Sequence, residues 1–140
     1  MSHPIMFTDD DLGLGELREL VAALPGTSEV VAWGRPTFRV GLATKKIFAL
    51  YGGGAKGEGA GPKHRAYPHS LLVKPDEIER RALLADKRFY LPAYYGPSGW
   101  VGLDLTAAPV DWTEVAELLE DSYRLIAPKT LIAELDKRKG

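Results

Sequence analysis

The sequence predicts an α+β fold in a single domain: an antiparallel β-sheet with helices packed mainly on one face and with projecting β-hairpins. Three observations predict it. Apolar residues recur at helical spacing at both ends of the chain, they recur with a period of two in between, and short Gly/Pro turns separate the period-two runs. A length of 140 residues fits one domain with a real core, and neither an internal repeat nor a domain boundary interrupts it.

Leu14, Leu17, Leu20, Val21 and Leu24 lie on one helical face, so a helix is expected from about residue 9 to about residue 24. The aspartates at 9–11 suit its positive end, Pro25-Gly26 stops it, and residues 1–7 read as a loose leading segment. From Ser28 the period becomes two, with Val31 and Trp33 on one side of a strand and Val30 and Ala32 on the other. Gly34-Arg35-Pro36 turns the chain into Thr37–Val40, and Gly41–Thr44 turns it again into Lys46–Tyr51. The glycines of residues 52–68 predict a long loop, followed by a strand over His69–Val73. Pro75 opens a short helix expected to carry Ile78, Ala82 and Ala85 inward and to end near Asp86. Residues 88–99 read as an aromatic-rich irregular crossing, and Trp100–Leu105 as a half-buried strand. Asp111 with Glu114 makes a capping box for a helix whose stripe is Trp112, Val115, Leu119, Ser122 and Ile126. Pro128 then starts a last helix through Leu131, Ile132 and Leu135.

Composition narrows the function classes. The chain has no cysteine, which removes disulfides, thiolate catalysis and Cys-based metal sites. No apolar run approaches the ~18–20 residues of a membrane helix, so no membrane partner is expected. The acidic start is unlike a signal or transit peptide, and the expected location is cytoplasmic.

Several blocks together resemble the MmcQ/YjbR family of bacterial proteins. They are Pro25-Gly26-Thr27-Ser28-Glu29 leading to Trp33-Gly34-Arg35-Pro36-Thr37-Phe38, then Lys46-Ile47-Phe48-Ala49, and Val73-Lys74-Pro75-Asp76-Glu77. Phe89-Tyr90-Leu91-Pro92-Ala93-Tyr94, Gly99-Trp100-Val101 and Ser122–Lys129 follow in order. The resemblance covers nearly the whole chain. It implies a fold similar to that of CyaY-like (frataxin-like) domains and secretion chaperones, with two projecting hairpin wings, and it implies DNA binding. It implies no catalytic residues and no cofactor. The chain departs from the family pattern in its Gly-rich stretch at 52–61, which lengthens one hairpin.

Charge is distributed unevenly under a net −1. Arg35, Arg39, Lys45, Lys46, Lys56, Lys63 and Arg65 are opposed only by Glu58, so the segment between Trp33 and His69 is formally +6. Residues 104–121 carry six carboxylates and no base, formally −6. Cations on hairpins can neutralise phosphates, so those seven residues form a candidate nucleic-acid surface without sequence-specific readout. Lysines on exposed strands also serve as a solvated, pairing-resistant edge. Tyr94, Tyr95 and Trp100 flank a Gly/Pro turn and, with Lys74 and Arg88, form a candidate groove for a base or for a peptide's aromatic side chain. A peptide- or protein-binding module is therefore the alternative reading.

Other motifs carry less. Gly52–Gly57 matches G-x-G-x-x-G, but Gly59, Gly61 and Pro62 forbid the helix a dinucleotide site needs. His64 and His69 lack further ligands at metal-site spacing and read as loop histidines, and Ser98 reads as a turn serine. No nucleophile, base and orienter stand at a recognisable spacing, and the expectation is a non-enzymatic protein without metal or cofactor.

Overall fold

The structure, a computed structural model, describes residues 4–56 and 64–140. Six strands form one sheet in the order β1-β2-β3-β4-β6-β5, every neighbouring pair antiparallel. They are β1 (Thr27–Ala32), β2 (Arg35–Val40), β3 (Lys46–Lys56), β4 (His64–Val73), β5 (Phe89–Tyr90) and β6 (Val101–Asp104). The helices are α1 (Leu14–Ala22), α2 (Glu77–Leu84), α3 (Trp112–Ile126) and α4 (Lys129–Lys139). Among the described residues no helix is long and apolar enough to cross a membrane.

One face of the sheet carries the main core. Leu14, Leu17 and Val21 of α1, Val115, Leu119 and Tyr123 of α3, and Leu131 and Leu135 of α4 pack on Phe38, Phe48, Tyr51, Leu71 and Val101. The Asp111 carboxylate accepts from the Thr113 and Glu114 N–H groups, which fixes the phase of α3. Its apolar stripe contains one polar residue. Ser122, fully buried, donates to the Phe48 carbonyl at 2.6 Å and accepts from the Lys74 N–H at 3.0 Å, so both its roles are satisfied between β3 and β4. The Tyr123 hydroxyl donates to the Pro25 carbonyl at 2.6 Å, and its ring meets Phe48 edge-on at 5.6 Å.

Three elements differ from the sequence expectation. α1 starts at Leu14 rather than near residue 9, because Thr8 N–H and Oγ1 donate to the Asp11 carboxylate and close a local turn. Gly13 then takes φ 79°, where a Cβ would stand 2.9 Å from Leu105. In α2 the Asp76 cap sets a phase that leaves Ile78 85% exposed and Ala82 and Ala85 exposed, while Leu83 and Leu84 pack against the core. The two leucines bury more apolar area than the alternative face offers. The chain ahead of α1 is tied down from Met6, whose N–H donates to the Gly34 carbonyl at 2.9 Å, and Phe7 packs on the core.

The third difference is the largest. β3 continues through the glycines to Lys56, and β4 begins at His64 instead of His69, so Gly53–Lys56 pair with Tyr67–His64. This two-stranded arm runs beyond the part of β3 that pairs with β2. The glycines provide clearance rather than looseness. A Cβ on Gly53 would lie 2.6 Å from the Tyr90 hydroxyl, and one on Gly102 of β6 would lie 2.4 Å from two carbons of the Tyr90 ring. Residues 57–63 lie outside the described residues. Replacing Gly102 with Ala is expected to cost about 1–3 kcal/mol by forcing the ring aside. An unchanged urea midpoint for Gly102→Ala contradicts the close-packing account.

Candidate functional site

Among the described residues the other face of the sheet carries none of the four α-helices beyond a contact from Ile126 at the end of α3. The helical segment lying over it is a short 3-10 turn, Gly96–Ser98. Leu50, Leu72, Tyr90 and Trp100 form a second, smaller core there, covered by the chain between β5 and β6. That crossing is pinned by Ala93 N–H donating to the Gly54 carbonyl and Gly96 N–H donating to the Pro92 carbonyl, both at 2.8 Å. Trp100, only 8% exposed, supports Tyr95 at 6.0 Å between ring centroids. The crossing covers only part of the face, and two adjoining hollows remain. The larger, about 580 Å³, is bounded by Met6, Trp33, Arg35, Leu50, Tyr94 and Tyr95. The smaller, about 300 Å³, shares Arg35, Tyr94 and Tyr95 and adds Arg65 and Leu72.

The two arginines are held differently. Arg35 lies along the glycine floor, where a Cβ on Gly52 would stand 3.4 Å from its Cδ. Among the described residues it makes no ion pair. Arg65 lies over the Tyr67 ring at 5.0 Å, and Tyr67 stacks on Tyr90 at 3.9 Å and 10°. Ser70 donates to the Tyr67 carbonyl, which leaves Tyr90 to donate to Ser70 Oγ at 2.7 Å. The ladder Arg65–Tyr67–Tyr90 therefore presents the Arg65 guanidinium from a fixed base. Among the described residues no carboxylate lines either hollow.

Backbone strain gathers at the same place. Among the described residues the non-glycine positions with positive φ are Trp33 at 54° and Tyr94 at 69°, and both line the larger hollow. Trp33-Gly34 is the two-residue turn between β1 and β2, with positive φ at both positions, where Asn-Gly is the inexpensive choice. A bulky aromatic there costs about 1–2 kcal/mol. Trp33 is nonetheless half exposed, and Tyr94 is 84% exposed.

The sequence-predicted cations divide. Arg35 and Arg65 meet at the hollows, Arg39 shares their face with its Nε–H donating to Thr37 Oγ1 at 3.1 Å, and Lys56 is exposed at the end of the described arm. Lys45 and Lys46 sit at the other end of β2, about 17 Å away at strand rise, where Lys46 and Lys129 flank a separate hollow. Lys63 lies outside the described residues.

The groove set also changes. Tyr94 and Tyr95 line the hollows, whereas Trp100 is buried support. Arg88 does not reach the groove, because it pairs with Asp86 at 2.7 Å and Glu114 at 2.6 Å beside α3, and holds the Asp86 carboxyl down at about 2. Lys74 stands beside Gly99, outside the lining. Trp33 and Met6 were not singled out for the groove by sequence; the signal available was a tryptophan directly before the glycine of a tight turn. His69 lies in β4 rather than a loop, and because Tyr51 donates to the Leu12 carbonyl, His69 Nδ1–H is left to donate to the Tyr51 oxygen at 3.1 Å. Among the described residues no three metal-ligating side chains come together.

The opposite face is acidic. Burial, and then the charges of Asp121, Asp76 and Glu117, push the Glu79 carboxyl up; burial, and then Glu120 and Asp76, push the Asp121 carboxyl up.

Comparison with known proteins follows this architecture. The YjbR family pattern matches residues 22–125. No curated protein matches. The crystal structure of the Deinococcus radiodurans protein DR2400, described with a DUF419 domain, superposes with a TM-score of 0.65 at 21% identity, over 88% of this chain and 87% of that one. A Pseudomonas syringae protein superposes with a TM-score of 0.52 at 20% identity, over 71% and 86%. At such identities the likeness shows the fold.

Burial pushes the hydroxyls of Tyr51 and Tyr90 up from 10.0 to about 12. A folded value above the unfolded one favours the protonated, folded form. That contribution is intact below pH ~10 and is lost as pH rises toward 12. In an absorbance titration Tyr51 and Tyr90 are expected to ionise last, and Tyr90→Phe to remove one late step. Ionisation of every tyrosine near pH 10 in a folded chain contradicts the packing described.

Proposed function

The chain belongs to the YjbR family, and on that footing we propose that it binds DNA, without strong sequence preference, through the face of its sheet opposite the main core. The observation that carries this reading is the composition of that face. Arg35 and Arg65 line two adjoining hollows that hold no carboxylate among the described residues, and Arg39 shares their face. The carboxylates of α2 and α3 lie on the other side of the sheet, and Asp104, paired with Ser70 at the end of β6, lines neither hollow. A phosphate backbone releases counterions to such a face and is repelled by the other, so the polarity of the molecule orients the encounter. A sequence pI of about 6.3 does not oppose this, because the field that matters is local.

Binding of a peptide remains a distinct second reading, favoured by one observation: the larger hollow has an apolar side made by Met6, Trp33 and Leu50. Salt separates the two, since apolar contact is nearly indifferent to it and phosphate contact is not.

The test is fluorescence anisotropy with a labelled mixed-sequence oligonucleotide, single-stranded and duplex, at low and physiological salt. The double variant Arg35→Ala/Arg65→Ala is expected to bind at least about ten-fold more weakly and to flatten the log–log salt slope by roughly two. Lys45→Ala/Lys46→Ala is expected to stay within about two-fold, because those lysines lie at the far end of β2. Absence of binding at low salt, or an equal loss in the lysine variant, contradicts the proposal.

A further inference from the structure

Resting on the DNA-binding reading above, we infer that the larger hollow receives one unpaired base of a single strand, stacked against Trp33 and Tyr94 with its phosphates at Arg35 and Arg65. The argument begins from strain. The two non-glycine residues that hold a left-handed backbone are both large aromatics and both border one hollow, although they lie about 60 residues apart in the chain. Neither residue is there for the core, since Trp33 is half exposed and Tyr94 is 84% exposed. The Trp33-Gly34 turn forms more cheaply with Asn in the first position, so folding alone gives no reason for tryptophan. Two exposed aromatic side chains placed beside one hollow by left-handed backbone suit a flat, apolar ligand.

The charges define the rest of that ligand. Arg35 borders both hollows and Arg65 the smaller, with no carboxylate among the described lining residues. Their Cα positions are two strands across and about three residues along the sheet, on the order of 14 Å apart, and the side chains converge on the shared hollow. Arg65 is prearranged by its stack on Tyr67 and Tyr90. A flat apolar body between anions two arginines can reach is a nucleotide within a strand. Duplex DNA offers this site phosphates and base edges only, because its base faces are already stacked on each other. An unpaired base offers its π-face, a contact worth five-fold or more in affinity and tolerant of sequence. The hollow of about 580 Å³ is roomy enough for a base and shares Arg35, Tyr94 and Tyr95 with the smaller one, which borders the arm at Gly53, Gly54 and Arg65.

The test compares a labelled 12-nucleotide mixed-sequence DNA strand with the duplex of the same sequence, at equal salt. The single strand is expected to bind at least about ten-fold more tightly and to quench tryptophan fluorescence. Trp33→Phe is expected to bind within about two-fold of the wild type while losing the quench, since a ring remains. Trp33→Asn relaxes the turn, so its melting temperature is expected to equal or exceed the wild type while its affinity falls at least five-fold. A purely structural tryptophan gives the opposite pair of results. Equal or tighter duplex binding, or wild-type affinity in Trp33→Asn, overturns the stacking inference and leaves the DNA-binding reading standing. Failure of both DNA forms to bind overturns both. Displacement of the strand by phosphotyrosine at lower concentration than by thymidine monophosphate also overturns it, in favour of an anionic aromatic side chain from a protein.

Discussion

The ring of Tyr90 lies against Gly102, its hydroxyl stands over Gly53 and donates to Ser70, and Tyr67 stacks on its outer side. The second face of the sheet is organised by that placement. A side chain at either glycine lifts the ring, and the ring anchors the start of the crossing that bears Tyr94 and Tyr95. The same ring is the base of the ladder that fixes Arg65. A six-stranded sheet with helices for one face has to cover or use the other. Here the crossing covers the half nearest β6 and leaves the half between the β1–β2 turn and the β3–β4 arm open.

What the open half presents is set by charge as much as by shape. Arg88, which could have joined it by sequence position, is neutralised beside α3 by Asp86 and Glu114, and Arg18 is paired with Asp9 and Glu29. Arg35 and Arg65 are left facing aromatic rings and glycine backbone. Arg35 is half-buried and Arg65 exposed, so both guanidinium groups stay open to water and keep donors available to an anion. The acidic ridge of α2 and α3 lies on the other side of the sheet.

Parts of this were legible in the sequence for clear physical reasons. α3 was readable because Asp111 and Glu114 sit at cap spacing ahead of a wide apolar stripe, and β1 and β2 because period two is unambiguous around a Gly-containing turn. Residues 52–56 were misread as loop because glycine's entropic cost is local and visible, whereas its use, clearance for a ring at Tyr90, depends on a contact distant in sequence. Helix α2 was given the wrong inward face because two adjacent leucines outweigh the spaced Ile78, Ala82 and Ala85. Of the candidate groove, Tyr94 and Tyr95 were legible from the Gly/Pro turn around them. Nothing in the period-two pattern separates Trp33 from a strand residue, and the division of the cations into two groups requires the direction of β2.

The central claim is that ligand contact is confined to the open half-face, and the most direct measurement is a ¹⁵N–¹H NMR titration with the 12-nucleotide strand. The chain has three tryptophans, one in each environment that matters: Trp33 at the hollow, Trp100 beneath the crossing and Trp112 under the helices. The account predicts that the Trp33 indole N–H and the Arg35 and Arg65 Nε–H signals move together, while Trp112 and the amides around Lys45 and Lys46 stay in place. Shifts centred on Lys45, Lys46 and Lys129, with Trp33 unmoved, contradict it.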